Sequence, residues 1–484
     1  MLAGTPSRSI CGLALGVALF AAAGCVTPLG PGYHFPDRQA DVRVAADSPG
    51  RIHIRITDQM VNAGDRPLRS LDVRLPEGPQ FGQENLRVQI QGTEISPVRD
   101  SPVDARMMRA PFDPPWQRND KRTVVTEWDL VPEFSPRGTI VASPTGFFIA
   151  DETALPLWQT PRGLFARGGA IPNKELLTVV APEDFRVLAP GKALKLAKQG
   201  SQVVRRFLIN PDNDFLPFVV AGRYKEFVLQ TKQGEVQFWT FAPVEVPVAQ
   251  AAATRLSASM KSLRDFFGPA SSEKPSVRIV EAPGELPGEL GGAAELGGAS
   301  FPEGVLLGPR AVQQGLASEP VLQLAEYELA RTWYGWRVRP RPEAQILMGR
   351  GVGLFGLVIA AEGRGPQERG RMVASLVQRY DEARAAAPDL RLMEPPEGYS
   401  RAERVSTGYR GGLFFVALED FCGQDSLKTA LRDIIFARAS SDTGFEELRA
   451  ALESACGKDL GEMFRHWLIQ PGIPEDFRNR YGTK

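Results

Sequence analysis

The sequence predicts an α+β protein in two parts: an antiparallel β saddle or sandwich, then a helix-rich domain. Two changes of pattern predict it. From about Ala40 to Ala242, short runs alternate apolar and polar residues with period two between turn clusters, as strands with one wet face do. After Pro243 the apolar spacing becomes helical. The length, 484 residues, allows two to four domains at roughly 100–200 residues each, so each part can bury its own core. The expected division is an export signal over 1–24, a tether over 25–39, a β-rich domain over 40–245 and a helical domain over 246–484.

Met1 to Ser9 carries one cation, Arg8, and no acid; Ile10 to Ala23 is an apolar run of 14 residues ending before Gly24-Cys25. A bilayer core of about 30 Å needs roughly 20 helical residues, so this run is too short to span one. A cationic start, a brief apolar stretch and small residues before a cut describe an export signal. Ala22-Ala23-Gly24-Cys25 resembles the bacterial lipobox, which implies that Cys25 is acylated and becomes the first residue of the mature chain. The alternative is an ordinary cleaved signal with an incidental cysteine. Val26, in place of Asp, resembles outer-membrane sorting, so the expected location is the cell envelope, lipid-anchored to the outer membrane. Residues 25–39 then read as a tether because Pro28, Gly30, Pro31, Gly32 and Pro36 crowd it.

The strand candidates follow in order: Val42-Arg43-Val44, Ile52 to Ile56, Leu86 to Ile90, Thr123 to Trp128, Thr139 to Ala142, Gln202 to Leu208, Phe227 to Gln230 and Val236 to Phe241. The helical candidates are Val248 to Phe267, Glu319 to Trp336, Gln345 to Glu362, Gln367 to Ala386, Gly411 to Phe421, Ser426 to Ala437, Phe445 to Ala455 and Gly461 to Leu468. Val277 to Val280 is a short strand among them. Cys422-Gly423 and Cys456-Gly457 each suit a helix C-terminus, where glycine follows the last turn. In an oxidising compartment Cys422 and Cys456 either form a disulfide or remain two buried thiols.

Composition narrows the chemistry. Lys+Arg and Asp+Glu both number 57, and no basic run supplies a local field, so nucleic-acid binding is not expected. There are three histidines, His34, His53 and His466, far apart in sequence, which argues against a histidine-based metal centre.

The segment Glu326-Tyr327-Glu328-Leu329-Ala330-Arg331-Thr332-Trp333-Tyr334-Gly335 resembles the H-E-L-A-H-x-W-x-G motif of gluzincin aminopeptidases of the membrane alanyl aminopeptidase type. In that family two histidines four residues apart and a glutamate after 18 intervening residues, within N-E-G-x-A, hold zinc. The glutamate between the histidines is the general base. Here those ligand positions carry Tyr327, Arg331 and Arg350, the last within Gly349-Arg350-Gly351-Val352-Gly353, while Glu328, Leu329, Ala330, Trp333 and Gly335 match.

Gly292-Ala293-Ala294-Glu295-Leu296 resembles the family's G-x-M-E-N stretch, which makes Glu295 the candidate for holding a peptide amino terminus; a plain glycine-rich loop is the alternative. Tyr409-Arg410-Gly411-Gly412 resembles Y-E-K-G, whose tyrosine stabilises the oxyanion. The segments from Gly444 to Pro474 look like the family's closing helices.

The resemblance implies a thermolysin-like second domain. The substituted ligands imply that zinc is absent, since a guanidinium has no lone pair to give. Glu328 and Tyr409 are then vestigial, and Arg331 and Arg350 are expected to replace the metal's charge, pairing with Glu328 and Glu295. The expected function is a catalytically inactive, membrane-tethered protein that binds a peptide or envelope protein, with a carboxylate as natural guest. The alternatives are an active hydrolase of the aminopeptidase or metallopeptidase type using a non-standard site, and a purely structural envelope role.

Overall fold

A computed structural model describes residues 33–44, 52–62, 64, 66–74, 87–96, 98–99, 107–130, 140–143, 145–150, 157–158, 174–209, 218–269, 276–286, 288, 296–301, 304–335, 337–393, 400–437 and 442–482. Cys25 and Glu295 lie outside these residues. Among the described residues no helix is long and apolar enough to cross a membrane.

In the first half a nine-stranded sheet runs in the order Lys192–Ala193, Gln202–Ile209, Lys174–Pro182, Tyr33–Val44, Ile52–Asn62, Lys121–Leu130, Arg87–Ile90, Thr93–Ile95, with Ala197–Gln199 also paired to Gln202–Ile209. All neighbours are antiparallel except Tyr33–Val44 beside Lys174–Pro182. The period-two reading holds well in Ile52–Asn62, where every second residue from Ile52 to Asn62 is buried. Two of those inward residues are polar and are satisfied: Asp58 accepts from Arg38 at 2.7 Å, and Asn62 Nδ2 donates to the carbonyl of Trp116 at 2.9 Å.

Two four-stranded sheets pack on the large one. Phe147, Ile149, Val187 and Val219 meet Ile54, Leu177 and Val179, while Leu71, Ala110 and Trp116 meet Met60, Val88 and Val124. The first strand starts at Tyr33, so 33–39 of the expected tether lie in the sheet. Pro36 is accommodated because the register shifts between His34 and Asp37, where a ladder N–H is not needed.

The second half is built on a five-stranded sheet in the order Lys225–Gln230, Glu235–Thr240, Ser276–Glu281, Gly304–Leu307, Gly298–Phe301. Its first two strands were expected in the β domain. They pair instead with Ser276–Glu281, which moves the junction between the halves from 245/246 to before Lys225. Strand character is local, whereas sheet membership is set by distant partners. Phe218 and Val220 from one half pack with Phe301, Val280 and Leu306 from the other, closing the junction with apolar surface.

The helices are α1 (Val246–Phe267), α2 (Pro309–Gln314), α3 (Glu319–Ala330), α4 (Val352–Glu362), α5 (Pro366–Ala386), α6 (Arg401–Cys422), α7 (Gln424–Ala437), α8 (Phe445–Cys456), α9 (Gly461–Phe464) and α10 (Glu475–Tyr481). A π-helical turn, Ile346–Gly351, leads into α4. Two boundaries differ from expectation. Helix α3 stops at Ala330, not Trp336, because the chain turns back at Gly335, whose φ is 139° and whose N–H donates to the Val338 carbonyl. Helix α6 starts ten residues earlier than Gly411, at a capping box in which Ser400 and Glu403 satisfy each other's backbone N–H.

Candidate functional site

Helix α3 is buried on all sides, with every residue from Val321 to Ala330 enclosed. It therefore carries three consecutive polar residues, Glu326, Tyr327 and Glu328, into the interior, and each must find its own partner. Glu326 faces α1 and the end of α4. Its carboxylate accepts from Arg255 Nε at 2.9 Å, Ser259 Oγ at 2.7 Å and Arg364 Nη1 at 2.8 Å. Burial opposes the charge on Arg255, but hydrogen bonds to Glu326 and Glu319 outweigh it and raise its pKa. Sequence reasoning passed over this clamp because Glu326 stands outside the motif and its partners are 38 to 71 residues away.

Glu328 lies one position beyond Tyr327 and faces the opposite way from Glu326. Its side chain has no exposed surface, and Arg331 Nη1 donates to both oxygens, at 3.0 and 3.3 Å. The Arg331 guanidinium, 24% exposed, sits 5.5 Å from the centre of the Tyr327 ring. Arg331 follows the last helical residue but keeps helical dihedrals, so the spacing of four still stacks it on Tyr327. The edge strand Gly298–Phe301 covers the pair: a Cβ at Gly298 would stand 3.3 Å from Glu328 Cγ. Opposite, α4 presents Gly353, where a Cβ would be 2.6 Å from a Tyr327 ring carbon and 3.0 Å from Arg331 Cγ.

Arg350 sits in the π-helical turn, half-buried. Single π turns inside helices recur at functional sites because they re-aim one side chain. Arg350 runs along α6, its Cδ 3.4 Å from where a Gly408 Cβ would be. The next residue, Tyr409, is buried. Burial pushes its hydroxyl pKa up, and a hydrogen bond from Arg379 with the charges of Arg379 and Arg350 pulls the other way. Arg379, on α5, also donates to Gln323 Oε1 at 2.8 Å, one turn before Tyr327 on α3. Arg410 faces away from this group and forms a buried ion pair with Asp389 at 2.8 Å, so it ties α6 to the chain after α5.

The residues thus brought together are Tyr327, Glu328 and Arg331 on one side, and Arg350, Tyr409 and the unanticipated Arg379 on the other. They do not fit a zinc ion. A phenol and guanidinium groups offer no set of lone pairs, and the adjacent carboxylate is already engaged by Arg331. Among the described residues no three His, Cys, Asp or Glu side chains are grouped to hold a metal. The Glu328 side chain has no exposed surface, and both its oxygens accept from the Arg331 guanidinium. Farther off, Cys422 and Cys456 are disulfide-bonded, with Cα atoms 5.2 Å apart, joining the ends of α6 and α8.

No protein-family model matches the chain, and no curated protein matches it. Solved structures do. The M1 zinc metallopeptidase of Deinococcus radiodurans, in a mutant bound to a Tyr-Ser-Ala substrate, superposes with a TM-score of 0.63 at 16% identity over 92% of this chain and 96% of that one. The same enzyme in another crystal structure gives 0.63 at 15% identity, with 92% and 96% covered. A two-domain M1 zinc metallopeptidase mutant bound to L-arginine gives 0.63 at 15%, with 92% and 95% covered. At such identities the likeness carries architecture and not chemistry: this chain has the two-domain fold of the M1 zinc metallopeptidases.

Proposed function

We propose that the protein is a bacterial envelope lipoprotein, anchored through acylated Cys25, which uses an aminopeptidase-like frame to bind a peptide or envelope protein without hydrolysing it. The observation that carries this reading is the Glu328–Arg331 pair, in which the general-base position is neutralised by a guanidinium standing at a zinc-ligand position. Tyr327 and Arg350 at the other two ligand positions support it. That a frame of this shape holds the tripeptide Tyr-Ser-Ala in the Deinococcus enzyme supports a short peptide as guest. The export signal and Cys25-Val26 support lipid anchoring at the outer membrane.

The test is metal content by elemental analysis together with turnover of an aminoacyl fluorogenic substrate. We expect no stoichiometric zinc and no chelator-sensitive turnover; finding both would overturn the reading in favour of an active peptidase. Mass spectrometry of the N-terminal peptide checks the anchor, which requires a diacylated Cys25 that is lost in Cys25→Ser. Co-purification of an envelope partner separates binding from a purely structural role.

A further inference from the structure

We propose that the edge of the nine-stranded sheet, residues 191–200, docks on the anionic lipid surface to which the chain is tethered. The inference rests on the lipid-anchoring part of the reading above and goes beyond it by naming the protein face that meets the bilayer. Total charge cancels, at 57 Lys+Arg and 57 Asp+Glu, but not locally. Over residues 185–209 there is no Asp or Glu, while Arg186, Lys192, Lys195, Lys198, Arg205 and Arg206 are cations. Spaced in this way they form no basic run. The sheet gathers them, because Lys192–Ala193 and Ala197–Gln199 fold back on Gln202–Ile209. Lys198 pairs with Glu183, and Lys192, Lys195 and Arg206 are exposed.

Apolar side chains share this edge. Leu194, Leu196 and Leu208 are 42%, 42% and 43% exposed, and no other leucine among the described residues is exposed to that degree. Lys192 stands opposite Leu208, and the Leu194 N–H donates to the Arg206 carbonyl at 2.8 Å, so each row sets a leucine beside a cation on one face. Gly191 fixes the edge to the sheet: a Cβ there would be 2.5 Å from the Leu208 carbonyl oxygen. Lysines alone are an ordinary guard against strand addition, and the extra residue between Ala193 and Ala197, opposite Phe207 and Val204, interrupts the ladder to the same end. Exposed leucines among them serve no such purpose. Leucine with lysine suits a surface that is apolar beneath and anionic at its headgroups.

The edge also stands near the anchor. One cross-strand row runs Lys192, Leu208, Leu176, Gln39, about 14 Å over three strand spacings. Gln39 is six residues into the first strand, whose start at Tyr33 is eight residues from Cys25, a reach of at most about 30 Å. A tether that short holds the edge at high effective concentration beside the leaflet. Contacts too weak to recruit a free protein then suffice to orient an anchored one.

The acylated full chain in vesicles tests this with a polarity-sensitive dye on Ala197→Cys, an exposed position opposite Val204. Cys422 and Cys456 are bridged, and in the anchored chain Cys25 carries lipid, so the new thiol is the one labelled. In equimolar phosphatidylglycerol–phosphatidylcholine vesicles we expect blue-shifted emission, quenched by headgroup spin-labelled lipid at least about twofold more than in phosphatidylcholine alone, with the difference shrinking at high salt. Dye on Arg371→Cys, exposed on α5, should stay water-like in both. Lys192→Gln with Lys195→Gln should remove the difference between lipids. Melting temperatures identify a variant that fails to fold, and the lipid comparison with both lysines in place does not depend on it.

Equal quenching in both lipids, position 197 no more quenched than 371, or a folded double variant that docks normally would overturn the docking face. An emission shift in detergent that grows with protein concentration would assign the edge to a second copy and overturn it too. Chains that float with the vesicles in those cases leave the anchoring reading standing, whereas an unacylated Cys25 by mass spectrometry overturns both.

Discussion

Gly353 on α4 lies against the Tyr327 ring so closely that a β-carbon would stand 2.6 Å from a ring carbon. Tyr327 is thereby packed as core, in a space that a methyl group on Gly353 would fill. Gly353→Ala should therefore destabilise the protein by about 1–3 kcal/mol through overpacking, since the fully enclosed ring cannot move aside. Helix propensity alone would favour alanine by about 1 kcal/mol, so the sign discriminates. Denaturant melts of Gly353→Ala, Tyr327→His and the double variant check it. The expected coupling exceeds about 0.5 kcal/mol, with the alanine tolerated better beside histidine.

Breaking the Glu328–Arg331 pair should likewise show in stability. Glu328→Gln leaves a guanidinium that is only 24% exposed beside a neutral amide. A loss of about 1–3 kcal/mol is expected, less than a wholly buried pair would give because Arg331 is partly solvated. A glutamate kept free for catalysis would tolerate the same change with no loss. Urea unfolding of Glu328→Gln and Arg331→Gln measures this, and unchanged midpoints in both would remove the pair from the account.

What could be read in the sequence was whatever depends on local spacing. Tyr327 and Arg331 four apart on a helix, period two in Ile52–Asn62, and glycines after Cys422 and Cys456 are all decided within one or two turns of chain. Arg379 and Gln323 were missed because their meeting depends on how α5 crosses α3, and 56 residues separate them. The first half of α6 was missed for a related reason. Gly408, Gly411 and Gly412 lower helix propensity, but they let α6 approach the π turn until Gly351 Cα is 3.3 Å from where a Gly411 Cβ would be. Expected pairing of Arg350 with Glu295 falls outside the described residues, whereas Arg331 does pair with Glu328.

Glu281 supplies a pH dependence. It ends the strand Ser276–Glu281 at the junction between the halves, and its carboxylate accepts from the Phe241 N–H at 2.8 Å. Burial raises its pKa above the ordinary 4.5, and that hydrogen bond only partly opposes the shift. A carboxyl raised in the folded state contributes stability below the unfolded value and loses it as pH rises through the folded one. Glu281→Gln keeps an acceptor for Phe241 and removes the titration. Its melting temperature relative to the unaltered chain should rise as the pH increases above 4.5; a difference that stays flat would refute the assignment.

The Cys422–Cys456 bridge should matter most for the segment it encloses. The cysteines are 34 residues apart, and the loop they close contains α7 and α8. Chain entropy for a loop of that size corresponds to about 3–4 kcal/mol. Both half-cystines sit at helix C-termini, each followed by a glycine with positive φ, so the bridge holds the ends of α6 and α8 together where helices fray most readily. Lys458 adds a tie by donating to the Phe421 carbonyl at 2.7 Å. Cys422→Ser with Cys456→Ser should lower the unfolding free energy by that amount. Hydrogen exchange should speed first in α7 and α8 and leave α3 protected, because α3 packs chiefly on α1, α4 and the sheet. Equal loss of protection in α3 would mean instead that the two cysteines brace the whole second half.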